Sequence, residues 1–315
     1  EGAMRGSRII GPGGRLPDKV VTNDDLAARL DTDDEWIRSR TGIEERHIGG
    51  STTEHAVEAS RIALDRAGVD AADLDLVILA TTTPDRAVPG TSPGVALALG
   101  ARCGAIDINA ACSGWVYGLV MANSLIATGM ERILVAGAET LSRIVDWDDR
   151  TTAILFADGG GAAIVEASDD RGDLLGWDLA ADGTTEKHLF AEFGGYLEMN
   201  GKEVFRHAVT LMADSADRAL AQAGMTADDV DIVIPHQANV RIIEACCKRL
   251  GVSPDKAVIT LHFMGNTSAA TVPFTLDHAI AEGMISDGDV VLFSGFGAGM
   301  TAASAVMRWS GVTDA

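Results

Sequence analysis

Cys112 occupies a position that favours chemistry. The stretch Asp107-Ile108-Asn109-Ala110-Ala111-Cys112-Ser113-Gly114-Trp115 leaves an apolar strand, Gly104 to Ile108, and crosses a patch of small residues. It then enters a helical pattern (Trp115, Leu119, Val120, Ser124, Ile126) that stops at Gly129. A sulfur at a helix N-terminus faces unpaired backbone N–H groups and the positive end of the dipole, which favour thiolate over thiol. Small neighbours leave room for a substrate. A lone cysteine is more often a buried structural residue, so this one needs partners. His236 follows an apolar strand and Pro235, and Asn266 lies in the loop Met264-Gly265-Asn266-Thr267-Ser268. A thiolate, an imidazole and a carboxamide suit covalent acyl chemistry, with Cys112 as nucleophile and the other two stabilising developing negative charge.

The elements that must bring these residues together are visible as a repeat. Ala63-Leu64-Asp65-Arg66-Ala67-Gly68-Val69-Asp70-Ala71-Ala72-Asp73-Leu74-Asp75-Leu76-Val77-Ile78 overlays Ala219 to Ile234 with nine of sixteen positions identical, at an offset of 156. The order then continues. The helix from Ser113 to Gly129-Met130 matches one from Ser268 to Gly283-Met284, and the strand Ile133–Ala138 matches Val290–Ser294. A tandem duplication of one α/β unit is expected, with two mixed, mainly parallel sheets and helices on and between them. The halves are placed at residues 4–168 and 169–315. Approximate two-fold packing would bring the equivalent strand-end loops, and so Cys112, His236 and Asn266, to one axis.

Other segments carry weaker signals. Gly11-Pro12-Gly13-Gly14 lacks the full spacing of a phosphate loop and is expected to turn. Asn23 is expected to cap a helix to Leu30, Ser51-Thr52-Thr53-Glu54 to open one that Gly68 closes, and Asn200-Gly201 to turn a hairpin. In Asp31 to Arg40, Trp36 and Arg40 offer a flat ring and a cation, suited to a base and a phosphate, or simply a solvated helix with a half-buried ring. His47, His55, His188, His207 and His278 read as surface residues, and His262 as a neighbour of Asn266. The four cysteines, two of them adjacent, form no disulfide framework and no zinc spacing.

The composition, 47% hydrophobic and 23% charged, is that of a soluble globular protein. The net charge of −21 argues against nucleic acid as a partner. The longest apolar candidate for a membrane span, Leu119 to Ala138, is broken by Glu131-Arg132. No leader-like segment is visible, and a cytoplasmic location is expected.

Asn109-Ala110-Ala111-Cys112-Ser113-Gly114, Pro235-His236-Gln237-Ala238-Asn239 and Gly265-Asn266-Thr267-Ser268-Ala269-Ala270 closely resemble the three active-site motifs of the β-ketoacyl-acyl-carrier-protein synthase III family. Asp31-Thr32, Glu35-Trp36-Ile37, Arg40-Thr41-Gly42-Ile43, Phe156-Ala157-Asp158-Gly159 and Gly295-Phe296-Gly297-Ala298-Gly299 extend the resemblance over Arg8 to Trp309. It implies a thiolase-like, duplicated αβαβα five-layer fold. It further implies that Cys112 takes an acyl group from acyl-CoA, that the backbone N–H groups of Cys112 and Ala298 form the oxyanion hole, and that His236 and Asn266 bind the thioester oxygen of malonyl-acyl carrier protein. Decarboxylation then gives an enolate that attacks the acyl-cysteine. Neither metal nor cofactor is implied. Trp36 and Arg150 would sandwich the CoA adenine, Arg40 would meet its phosphates, and Asn239 would touch the pantetheine arm. Arg206, Arg241, Lys248 and Arg249 would dock the acidic carrier protein, or else form a solvated helix face. The resemblance implies a homodimer, in which Val88 matches a residue that the partner subunit places at the end of the acyl pocket. Valine there predicts tolerance of branched or longer primers.

Cys, His and Asn in this order also occur in papain-like hydrolases, against which the duplication and the cysteine's context stand. Degradative thiolases need a second cysteine in the last glycine-rich loop, where this chain has Gly297-Ala298-Gly299, and elongating condensing enzymes carry histidine in place of Asn266. An acyltransferase of secondary metabolism, acting in priming or in forming an ester or amide, keeps much the same residues. A non-catalytic scaffold would be expected to lose Cys112.

Overall fold

The computed structural model describes residues 5–169 and 171–312. The outer bounds expected for the two halves, residues 4 and 315, lie outside that range. The first half contributes β1 (Gly6–Arg15), β2 (Lys19–Thr22), α1 (Asn23–Ala27), α2 (Asp34–Thr41), β3 (Glu45–Ile48), α3 (Thr52–Ala67), β4 (Leu76–Ala80), α4 (Ser92–Leu99), β5 (Gly104–Ile108), α5 (Gly114–Ala127), β6 (Arg132–Thr140), α6 (Arg150–Ala153) and β7 (Asp158–Ser168). The second contributes β8 (Leu174–Ala181), β9 (Leu189–Ala191), β10 (Leu197–Met199), α7 (Gly201–Ala223), β11 (Ile232–Pro235), α8 (Val240–Leu250), α9 (Leu261–Met264), α10 (Thr271–Ala281), β12 (Val290–Gly297) and β13 (Thr301–Arg308).

The two main sheets run β1-β7-β6-β4-β5 and β11-β12-β13-β8. From its β1 or β8 edge, each repeats the same order, so the duplication is structural. The second-half counterpart of β5 is reduced to an isolated bridge, Val233 to Ala257. The sheets are mixed, as expected, but not mainly parallel. Only β4 with β5 and β6, and β11 with β12, pair in parallel, while β1, β7, β8 and β13 join antiparallel. Helices α5 and α10 lie between the sheets in one core that joins the halves, with Trp115 against Phe293 at 5.8 Å. Helices α3 and α4 cover the outer face of the first sheet, and α7 and α8 that of the second. Strand β4 is continuously apolar because helices bury both of its faces.

Three local expectations fail for tertiary reasons. Gly11 to Gly14 does not turn but continues β1. A Cβ at Gly11 or Gly13 would collide with the backbone of α3 at Ala63 or Ala59, so the glycines admit a helix onto the strand. Pro12 is tolerated because β1 is an edge strand. Asn200 does not turn a hairpin; it caps the 23-residue α7, its side chain accepting from Glu203 N. Thr22, not Asn23, caps α1 through a capping box with Asp25. Asn23 turns inward to Ile43 O and accepts from the buried Arg46. Ser51 and Gly68 do bound α3 as expected. His55 is buried, not on the surface, with Nε2 2.8 Å from Gly49 O.

Candidate active site

Cys112 sits in a 3-10 turn, Ala111–Ser113, between β5 and α5. Ala111 adopts φ 48, and the only other non-glycine residue with positive φ among those described is Ser268 at φ 51. Ser268 opens the matching turn, Ser268–Ala270, ahead of α10. The pseudo-symmetry therefore pairs Ala111 with Ser268, rather than Ser113 with Ser268. It also pairs Asn109 with Asn266: their Oδ1 atoms accept from Ala111 N at 3.1 Å and Ser268 N at 2.9 Å. With its oxygen so engaged, the Asn266 amide group keeps its N–H donors for the cavity. A bridge to Phe156 holds the Asn266 backbone.

His236 directly follows β11, donates its backbone N–H to Ser294 O at 2.8 Å, and lies edge-on to Phe296 with centroids 5.5 Å apart. Its Nδ1 is 2.6 Å from Thr271 Oγ1, on the first residue of α10. Thr271 Oγ1 accepts from Gln237 N at 3.3 Å and also lies 3.1 Å from Ser268 O, so its single proton goes either to Ser268 O or to His236 Nδ1; in the second arrangement the ring's Nε2 carries the proton. Cys112, His236 and Asn266 line one cavity of roughly 100 Å³, with Asn239 and Phe205 also in its wall. Cys112 also lines a second cavity of about 360 Å³, formed by Leu141, Ile144, Phe156, Leu189 and Ala298 among others. The sulfur thus stands on the wall shared by a small cavity with His236 and Asn266 in its lining and a larger, mostly apolar one. At Gly297 a Cβ would collide with Cys112 N, so the end of β12 packs directly on the backbone of Cys112.

Burial overturns the expected resting thiolate. It pushes the Cys112 thiol up to about 12, with Ser268 pulling the other way and Glu139 adding to the rise. The same desolvation pushes His236 down to about 3, so the imidazole is neutral. Glu139, fully buried at the end of β6, is raised by burial while bonds from Thr81, Thr82 and Thr83 oppose it. Sequence reasoning missed Thr271, Ser268, Phe296 and Glu139. Only Glu139 had a signal, an acid ending a wholly apolar run.

The remaining candidates are more scattered. Arg40 and Arg150 both stack on Trp36, at 4.3 and 4.6 Å from ring centroid to guanidinium carbon. Arg150 therefore occupies the ring face expected to take an adenine, and it also donates to Asp31 O. Asn239 caps α8 and donates to Arg40 O at 3.0 Å, tying α2 to the cavity wall. Arg206 pairs with Glu203, Arg249 with Asp214, and Arg241 donates to Ser39 O. Lys248 shares a surface groove with Arg241. Val88 is 84% exposed in the single chain and does not line either cavity. His262 is exposed and packs on Phe263, not on Asn266.

The family model for 3-oxoacyl-[acyl-carrier-protein] synthase III matches residues 106–183, and that for its C-terminal part matches residues 220–309. β-Ketoacyl-[acyl-carrier-protein] synthase III 1 of Bacillus anthracis is 45% identical over 306 residues, covering 96% of this chain and 98% of that protein. The crystal structure of 3-oxoacyl-[acyl-carrier-protein] synthase III from Aquifex aeolicus is 44% identical, with a TM-score of 0.94 over 96% of this chain and 100% of that one. A priming β-ketosynthase from the R1128 polyketide pathway is 35% identical, with a TM-score of 0.93 over 98% of each chain. With the cysteine, histidine and asparagine on one cavity, and near-full-length identity on that scale, the chain belongs to the β-ketoacyl-acyl-carrier-protein synthase III family of thiolase-fold acyltransferases.

Proposed function

We propose that this chain catalyses the decarboxylating condensation of an acyl-CoA primer with malonyl-acyl carrier protein, giving the 3-oxoacyl-acyl carrier protein that starts type II fatty-acid synthesis. The placement of Cys112 on the wall shared by the cavity of His236 and Asn266 and the larger apolar cavity supports this reading, in which the first is the entrance and the second the acyl chamber. Cys112 sulfur attacks the thioester carbonyl, the Cys112 proton ends on the departing CoA thiol, and the acyl chain lies in the chamber. The backbone N–H groups of Cys112 and Ala298 stabilise the oxyanion. His236 Nε2–H and the Asn266 amide then hold the malonyl thioester oxygen, carbon dioxide leaves, and the enolate carbon attacks the acyl-cysteine carbonyl. The bond to sulfur breaks and releases Cys112 as a thiolate, which takes a proton from solvent to return to the resting thiol. Decarboxylation supplies the carbanion, so the step asks for no strong base, metal or organic cofactor. Replacing Cys112 by serine tests this: covalent labelling by radiolabelled acyl-CoA is expected to vanish, and unchanged labelling would sink the assignment.

Residues 4–168 and 169–315 are read as the cysteine-bearing and the His/Asn-bearing halves. For CoA, Arg150 swings from Trp36 so that the adenine inserts between them, Arg40 meets the phosphates and Asn239 the pantetheine. Arg206, Arg241, Lys248 and Arg249 form the docking face for the carrier, which must overcome a net charge of −21. A homodimer is supported by the open edge of β5 and the exposed Val88, Leu97 and Ile106 around it. In it, Val88 of one protomer closes its partner's acyl chamber. Val88→Phe is expected to depress turnover of longer acyl-CoA primers more than acetyl-CoA, and proportional losses would refute that. Among the described residues no helix is long and apolar enough to cross a membrane, and we place the protein in the cytoplasm. The likeness to the polyketide priming enzyme favours a second reading, priming of secondary metabolism. Product formation on fatty-acid against polyketide carrier proteins separates the two.

A further inference from the structure

We propose that His188, Glu203 and His207 bind a divalent ion of the zinc class on segments that also line the two cavities, apart from the condensing chemistry. One donor atom from each lies within 4.8 Å of the others. Glu203 and His207 stand four residues apart on α7 and so share a face, with Glu203 Oε2 3.6 Å from His207 Nε2. The third donor comes from the preceding segment, and the backbone fixes it there. The carbonyl of His188 accepts from Asn200 N at 2.8 Å, and Asn200 is the cap of α7. The His188 and His207 rings lie nearly parallel, 17° apart with centroids 5.6 Å apart. A tetrahedral zinc ion, with bonds of about 2.0–2.1 Å, holds its ligands roughly 3.4 Å apart. Side-chain rotation that turns the stacked rings toward a common point must bring the donors from within 4.8 Å to that spacing.

The donor set selects the ion. Two imidazoles and one carboxylate suit Zn²⁺, Co²⁺ or Ni²⁺, whereas Mg²⁺ and Ca²⁺ take oxygen. Three protein ligands leave a fourth position for water. Arg206 Nη2 donates to Glu203 at 2.6 Å and lies 3.3 Å from His207 Nε2, so an ion must displace the guanidinium from two of its three donors; that side chain is 69% exposed, which makes it a solvent-screened partner. Asp182 also lies near His207 and adds negative potential.

The location gives the ion a consequence. Leu189, next to His188, lines both cavities, and Val204 and Phe205, next to Glu203, line the smaller one. An ion bound here cross-links the segment that carries Leu189 to α7, stiffens the cavity walls beside it, and slows passage of an acyl-bearing arm to Cys112.

The test is titration of the purified full chain with Co²⁺. Expected are visible ligand-field bands of four-coordinate Co²⁺ that saturate at one equivalent and bleach with Zn²⁺. His188→Gln and His207→Gln should each weaken binding at least about tenfold. Metal-free melting midpoints check that the variants fold, and Glu203→Gln repeats the comparison without touching the imidazoles. Zn²⁺ should slow acylation of Cys112 in the native chain and not in the variants. Absence of bands from the native chain, bands of equal strength in both histidine variants, or equal slowing by Zn²⁺ in the variants would overturn the proposal.

Discussion

Burial holds the His236 pKa at about 3, against 6.5 for a free imidazole, because the cavity cannot solvate an imidazolium. Between those two values the unfolded chain binds one more proton than the folded chain. The stability that depends on this group is complete above its unfolded pKa and is lost as pH falls through the window. From about pH 7.5 to about pH 5, the unfolded state gains roughly 2 kcal/mol from this ring alone, while the folded state gains almost nothing. Replacing His236 by glutamine removes the titrating group. The assay is denaturant unfolding of both proteins at the two pH values, compared as a double difference. That comparison cancels carboxylates such as Asp25, Asp85 and Asp149, whose lowered pKa values also make acid destabilising. The His236→Gln chain is expected to lose about 2 kcal/mol less than the native chain on acidification. Equal losses would refute the buried neutral imidazole. So would an acid limb near pH 6.5 in malonyl decarboxylation that disappears with the histidine.

Thr271→Val removes the hydroxyl that orients the His236 ring; a buried hydrogen bond of about 1–3 kcal/mol predicts a fall of roughly 5- to 150-fold in kcat for decarboxylation. KM is expected to stay nearly constant and Thr271→Ser to restore the rate, and a loss confined to KM would count against this role. Arg46 is fully buried and donates to Val21 O, Asn23 Oδ1 and Ile154 O. Arg46→Ala leaves those acceptors unpaired beside Gly265 and is expected to destabilise the chain by about 3 kcal/mol in denaturant unfolding.

Much of the site was legible because its signals are local. A strand ending in small residues before a helix marks Cys112, and a strand followed by Pro235-His236 marks the second half's equivalent position. The duplication then argues that such strand ends meet. The symmetry had to be corrected by backbone geometry, since Ala111 and Ser268 share a left-handed conformation that residue types do not advertise. The turn expected at Gly11 to Gly14 failed because those glycines answer to α3, a helix some forty residues downstream. Asn200 was misjudged because turn and cap use the same side-chain chemistry, and only the helix that follows tells them apart.

The amino-acid sequence by itself determined the duplicated α/β plan and singled out Cys112, His236 and Asn266 as the candidate nucleophile and partners, because periodicity and motif residues are properties of short segments. Tertiary structure alone decided that Cys112 rests as a thiol and His236 as a neutral ring, that Thr271 orients that ring, and that Arg150 lies on Trp36. It alone put two cavities against Cys112, and set His188 beside Glu203 and His207. Desolvation and cavity shape are sums over atoms from both halves of the chain, and no single segment carries them.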